Sequence, residues 1–188
     1  MPVGLRDARE RIEDRRWFIA AYARWLREFA GEAAVMAVAD HGDGAPGALD
    51  LSALEEARHW ITARDADVIL LLRDGQPAGF SLIRRESPSS RSVAEYYVEP
   101  DQRGRGVGRA AAMLLFDRFG GEWRTAALQR HAPAVKFWRG TVRRYTEGRH
   151  QETLVDGEVR QRFFARTALA PDLATDGAAP DGRSSGAR

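Results

Sequence analysis

The chain has no cysteine, which removes disulfides, thiolate metal sites and a cysteine nucleophile in one step and fits a reducing compartment. It also has no stretch approaching the ~18 to 20 apolar residues of a membrane span. The N-terminus lacks the charged-then-apolar pattern of a secretory signal, so a cytoplasmic protein without membrane contact is expected. Net charge is scarce: 29 Lys and Arg stand against 27 Asp and Glu, a formal +2. Lys136 is the single lysine, and the arginines are dispersed along the chain, which implies no nucleic-acid partner. Trp17, Trp25, Trp60 and Trp138 therefore read as core or pocket wall and not as a stacking platform for bases. The four histidines, His41, His59, His131 and His150, stand too far apart to put two ligands on one metal, so no metal site is expected.

What is present is enough for one compact domain: 188 residues, 44% apolar and 30% charged. We place that domain at residues 1–168. Residues 169–188 are expected to be a disordered tail, because Pro171 to Arg188 offer almost no large apolar group to offset ordering entropy. Val3 to Arg6 reads as a first strand, and the apolar spacing of Ile12, Phe18, Tyr22, Trp25, Leu26 and Phe29 predicts a helix over Arg9 to Phe29. Asp40 to Asp50 reads as an acidic loop, and Ser52 with Glu55 as a capping box opening a helix from about Ala53 to Ala63. Strands follow at Val68 to Arg73 and Ala78 to Arg84 around the turn pair Asp74-Gly75, and after a polar loop Glu86 to Arg91 another at Val93 to Val98. A helix runs from Arg105 to the pair Gly120-Gly121, then come a strand Trp123 to Leu128, a helix opened by Ala132-Pro133, and a closing hairpin around Asp156-Gly157.

The chemistry is concentrated in Arg103-Gly104-Arg105-Gly106-Val107-Gly108, between a strand and the helix whose first turn it forms. Glycines let a backbone approach an anion, the helix N-terminus adds about half a positive charge, and Arg103, Arg105 and Arg109 can donate charge-assisted hydrogen bonds to phosphates. A dinucleotide fingerprint counted from Gly104 and Gly106 would need glycine where Arg109 stands, and the Lys-Ser/Thr ending of a Walker loop is missing.

The segment resembles motif A of the GNAT superfamily, the acyl-CoA-dependent N-acyltransferases, whose pattern of Arg or Gln, two residues, Gly, one residue, Gly matches Arg103, Gly106 and Gly108. The order of elements from about residue 3 to 165 matches as well. The resemblance implies an α/β (α+β) fold with a mixed, mostly antiparallel sheet of about six to seven strands flanked by about four helices and splayed at the strand before the Arg/Gly turn. It implies acetyl-CoA as co-substrate, held by Tyr97, Val98, Gly104, Val107 and the motif residues Arg103, Arg105, Gly106, Gly108 and Arg109, with the Val98 amide polarising the thioester carbonyl. It implies cofactor contacts from His131 and Trp138 too, although this chain departs there from the family's Asn and Tyr. An indole N–H is no practical acid, so the family's thiolate-protonating role does not transfer to Trp138.

Local chemistry supplies two candidates for moving protons. Glu95 interrupts an apolar strand and suits a general base or a substrate ligand, its plainer reading being a solvated or ion-paired strand residue. Tyr145 could replace the missing acid, its plainer reading being a packing residue. The expected reaction is direct acetyl transfer to a small-molecule or peptide amine, with self-association into a homodimer left open. The alternative is a non-catalytic acyl-CoA sensor or pseudoenzyme.

Overall fold

The structure, a computed structural model, describes residues 2–37 and 46–166, and the side chains of all of these except 30–37 and 46–51. In chain order the elements are β1 (Val3–Asp7), α1 (Ile12–Ala37), α2 (Pro46–Thr62), β2 (Ala66–Arg73), β3 (Gln76–Ser87), β4 (Ser90–Val98), α3 (Val107–Phe119), β5 (Gly121–Leu128), α4 (Ala132–Thr146), β6 (Gln151–Val155) and β7 (Glu158–Ala165). A short 3-10 turn, Pro100–Gln102, separates β4 from the Arg/Gly segment. The seven strands form one sheet in the order β1-β2-β3-β4-β5-β7-β6, antiparallel except for the parallel pair β4–β5. No helix among the described residues is long and apolar enough to cross a membrane.

The unbroken apolar run of β2 is explained by burial on both faces. Val68 and Leu70 join Phe18, Tyr22, Ala57, Trp60, Phe80 and Leu82 under α1 and α2. Ile69 and Leu71 turn the other way, into the cluster of Leu115 and Phe116 of α3, Val142 of α4 and Trp123 of β5. Asp74 and Gly75 both take positive φ (49° and 81°), the backbone that a two-residue hairpin of this twist requires.

Three expectations need correction. The second helix begins at Pro46, so Ser52 sits inside it and cannot cap it. Proline in a first helical turn loses nothing by its missing N–H, and Ala53, Ala57 and Trp60 keep one apolar face across the region. Of the acidic loop expected at Asp40 to Asp50, residues 46–50 are the first turn of this helix, and residues 40–45 lie outside the described residues, as does the 169–188 tail. The polar loop Glu86 to Arg91 shrinks to a turn at Pro88 and Ser89, because β3 and β4 keep pairing as far as Ser87 and Ser90.

The closest backbone approach in the sheet is at Gly79, where an added Cβ would lie 2.2 Å from the Tyr97 carbonyl oxygen and 3.1 Å from Val98 Cα. Gly79→Ala should force β3 from β4 and lower stability by about 1–3 kcal/mol. Gly4→Ala, whose nearest atoms would be 3.9 Å away, should be neutral or slightly stabilising; urea denaturation midpoints of the two variants check this.

Candidate active site

β4 and β5 pair over three positions only, Ser90↔Glu122, Arg91↔Trp123 and Ser92↔Arg124. Beyond them β4 runs on to Val98 and β5 to Leu128 without pairing each other, so the sheet is splayed where the resemblance placed the splay. The Glu99 N–H donates to Ala78 across the β3 side at 2.9 Å. Alternation along a strand then turns the N–H groups of Val98 and Tyr96 the other way, into the cleft.

Aromatic side chains wedge the cleft open. Tyr96 stacks on Phe137 (centroids 5.5 Å apart) and meets Trp138 edge-on at 5.1 Å, while its hydroxyl donates to the Gly108 carbonyl at 2.6 Å. The resulting groove, about 360 Å³, is walled by Tyr96, Tyr97 and Val98 of β4, by His131, Phe137 and Trp138 on the α4 side, and by Trp25 and Glu28 of α1. His131 enters through the backbone that starts α4, its carbonyl accepting the Val135 N–H at 3.2 Å.

A second cavity of about 330 Å³ continues from the groove through the shared residues Val98, Arg103 and Phe137, and is otherwise lined by Gln102, Gly104 and Gly106 to Arg109. Gly106 is the N-cap of α3 with φ 81° and offers no side-chain cap to the helix. The N–H groups of Val107, Gly108 and Arg109 have no acceptor within the helix, and nothing stands within 4 Å of where a Gly106 Cβ would be. An open, uncapped helix N-terminus of this kind fits a diphosphate. Gly108 keeps the wall close, since a Cβ there would meet Val98 at 3.1 Å and Phe137 at 3.4 Å.

The three arginines divide their work. Arg103 grips Glu28 of α1 through its two terminal guanidinium nitrogens (2.6 and 2.8 Å), donates Nε–H to the Val98 carbonyl at 2.8 Å and covers the Tyr97 ring. Arg105 and Arg109 are exposed at the turn, with no ion-pair partner among the described residues.

Glu95 owes its position to a bulge. The β3–β4 register passes from Leu82↔Glu95 to Ile83↔Val93, leaving Ala94 as the extra residue. Ala94 and Glu95 therefore share one face, that of Leu82 and Tyr97 beneath α1 and α2, whereas Val93 and Tyr96 face α3 and α4. Burial pushes the Glu95 carboxyl up to about 7, the Glu56 carboxylate adds to the rise, and Arg84 opposes it. Glu56 accepts the Tyr22 hydroxyl at 2.9 Å, and Arg84 lies over the Trp60 ring.

The structure thus gathers Tyr97, Val98, Arg103, Gly104, Gly106, Val107, Gly108, Arg109, His131 and Trp138 along one continuous groove, with Arg105 on the same turn and Glu95 on β4 beside it. It does not bring Tyr145 there. That hydroxyl donates to Asp117 of α3 at 2.7 Å, and its ring packs on Phe116 and Phe163 in the core behind the groove. Sequence reasoning missed Tyr96, Phe137 and Glu28: the first two carried a signal, as the aromatic residues flanking Tyr97 and Trp138, but nothing in the sequence joins Glu28 to a residue 75 positions away.

The sequence matches none of the curated proteins. Solved structures with the same fold include an acetyltransferase from Thermus thermophilus (TM-score 0.59, 11% identity, covering 87% of this chain and 97% of that one). They also include the PaiA N-acetyltransferase from Thermoplasma acidophilum in complex with coenzyme A (0.52, 13%, 87% and 99%). A third is the Campylobacter jejuni N-acetyltransferase PseH in complex with acetyl coenzyme A (0.52, 12%, 87% and 99%). The profile of the Acetyltransferase (GNAT) family matches residues 36–140, more than half of the chain and the whole span from α2 through the Arg/Gly turn into α4, and this chain belongs to that family.

Proposed function

We propose that the protein transfers an acetyl group from acetyl-CoA to an amine by direct attack, with Glu95 as general base. The observation that carries this reading is the continuous groove from the unpaired edge of β4 to the uncapped N-terminus of α3. A pantetheine arm can add to the free edge of β4 as an extra strand while the diphosphate meets the α3 amides, Arg105 and Arg109. Two relatives with this fold are known in complex with coenzyme A or acetyl coenzyme A, which supports the same use of the groove here.

Acetyl-CoA supplies a thioester carbonyl as electrophile and a thiolate as leaving group. The Val98 N–H, facing the cleft, stabilises charge developing on the carbonyl oxygen. Glu95 takes one proton from the acceptor ammonium, directly or through a water, so that the neutral amine can attack. When the C–S bond breaks, the surplus proton on nitrogen passes to sulfur, giving an amide and a free thiol. No residue is then needed as an acid, which accommodates both Trp138 and a Tyr145 committed to Asp117. The alternative of an acyl-CoA sensor predicts cofactor binding without turnover on any amine.

Charge reversal at the turn, Arg109→Glu, or Gly106→Glu, should weaken coenzyme A binding measured by calorimetry by roughly tenfold or more, with far-UV circular dichroism unchanged. Wild-type affinity in a folded variant would remove the diphosphate from this turn.

A carboxylate with its folded pKa raised to about 7 is a competent base only above that pH. The kcat/KM for the amine should climb as pH passes through about 7, and Glu95→Gln should flatten that limb and lower kcat on the order of 100-fold with coenzyme A affinity intact. The same raised pKa means that stability falls as pH rises from the ordinary carboxylate range through about 7. Glu95→Gln should accordingly melt above wild type at pH 8, and the gap should close toward pH 4.

A further inference from the structure

α1 and α2 cover the face of β2 and β3, but among the described residues no helix covers the same face of β5, β7 and β6. Strand pairing puts Arg124 opposite both Ser92 and Arg162, Arg160 opposite Ala126 and Thr153, and Arg162 opposite Gln151, so these side chains share that open face. They surround a cavity of about 360 Å³ at the vertex where β4 and β5 part, with Ser92 of β4 on its near wall.

The guanidiniums are held in place and not spent. Glu122, beside the vertex, accepts from Arg124 Nε and Nη2 (3.1 and 3.0 Å) and from Arg162 Nη2 (2.6 Å). Arg160 is braced by Glu158 at 2.9 Å. A guanidinium has five N–H donors, and these contacts occupy one or two on each, while all three side chains remain about half exposed. The cavity lining therefore carries three cations and no carboxylate. Glu122, Glu158 and Glu86, which accepts from the Ser92 hydroxyl at 2.6 Å, stand behind it, in a molecule whose proposed base on β4 lies only three residues from Ser92.

We propose that this cavity is the subsite for an anionic group on the acceptor, a carboxylate or a phosphate, so that the preferred substrate is an amine carrying a negative group at its far end. The inference rests on the proposed transfer with Glu95 as base, and it names the substrate class. Glu95 stands three residues, roughly 10 Å, along β4 from the level of Ser92, Arg124 and Arg162, and Arg162 stands two strand spacings, roughly 10 Å, across the sheet. The two backbone positions therefore lie roughly 14 Å apart, and the side chains reaching from them bring amine and anion closer. Arg160 and Arg162 bind the anion. Glu122 is a positioning residue that fixes Arg124 and Arg162.

The test is steady-state thiol release from acetyl-CoA over two matched pairs of acceptors, 6-aminohexanoate against 6-aminohexanamide and 6-aminohexyl phosphate against 6-aminohexanol. The expected result is a kcat/KM at least roughly tenfold higher for one anionic member than for its neutral match, carried by KM. Which pair shows the larger ratio separates carboxylate from phosphate. In Arg160→Gln/Arg162→Gln that advantage should collapse toward unity, with coenzyme A affinity and melting temperature near wild type. Turnover on all four acceptors with no anionic preference, or a preference that survives the double substitution, overturns this subsite and leaves the transferase reading standing. No turnover on any amine despite tight coenzyme A binding overturns both.

Discussion

The limited pairing between β4 and β5 is the constraint on which the rest depends. Three parallel pairs hold the strands together at Ser90 to Ser92, and the divergence beyond leaves the Tyr96 and Val98 amides facing a cleft. A parallel connection cannot be made by a hairpin and needs a crossover, which here is α3. The same crossover that makes the parallel pair therefore delivers a helix N-terminus to the end of β4, where the splay is widest. The strand edge and the positive helix end are two products of one topological choice.

The wall opposite α4 is set by charge. Two residues one turn apart on α1 reach the end of β4 with opposite sign: Arg24 pairs with Glu99, and Glu28 with Arg103. Partly exposed pairs of this kind contribute only about 0–1 kcal/mol each to stability. Their effect is positional, since they hold Trp25 and Glu28 as a side of the groove and fix the loop between β4 and the Arg/Gly turn. Arg103 is engaged by α1, and the cationic charge of the turn that has no ion-pair partner among the described residues is that of Arg105 and Arg109.

Much of this was legible in the sequence because local chemistry decides it. Asp74-Gly75 can turn a hairpin, the β2 run can be buried twice, and Gly106 can open a helix toward an anion, whatever the surroundings. Three features were not legible, each because it depends on a distant partner or on backbone geometry. The bulge at Ala94 leaves no mark in the alternation of Val93 to Val98, yet it decides which face Glu95 occupies. The capping box at Ser52 lost to a helix already begun at Pro46, where the burial of Ala53, Ala57 and Trp60 outweighs a local cap. Tyr145 looked like a spare hydroxyl until α3 brought Asp117 to it.

The position of Glu95 shows how such a site is tuned. An arginine within direct pairing distance would hold the carboxyl well below neutrality and make it too weak a base for an alkylammonium. Arg84 does stand on the neighbouring strand, opposite Ser92, but it lies over the Trp60 ring 4.8 Å away, so its field only moderates the burial of Glu95. The larger charge influence is that of Glu56, of like sign, which is itself occupied by the Tyr22 hydroxyl. An indole that takes up an arginine and a phenol that engages a glutamate leave Glu95 partly buried without an ion pair of its own, which costs the fold stability and holds the carboxyl at about 7.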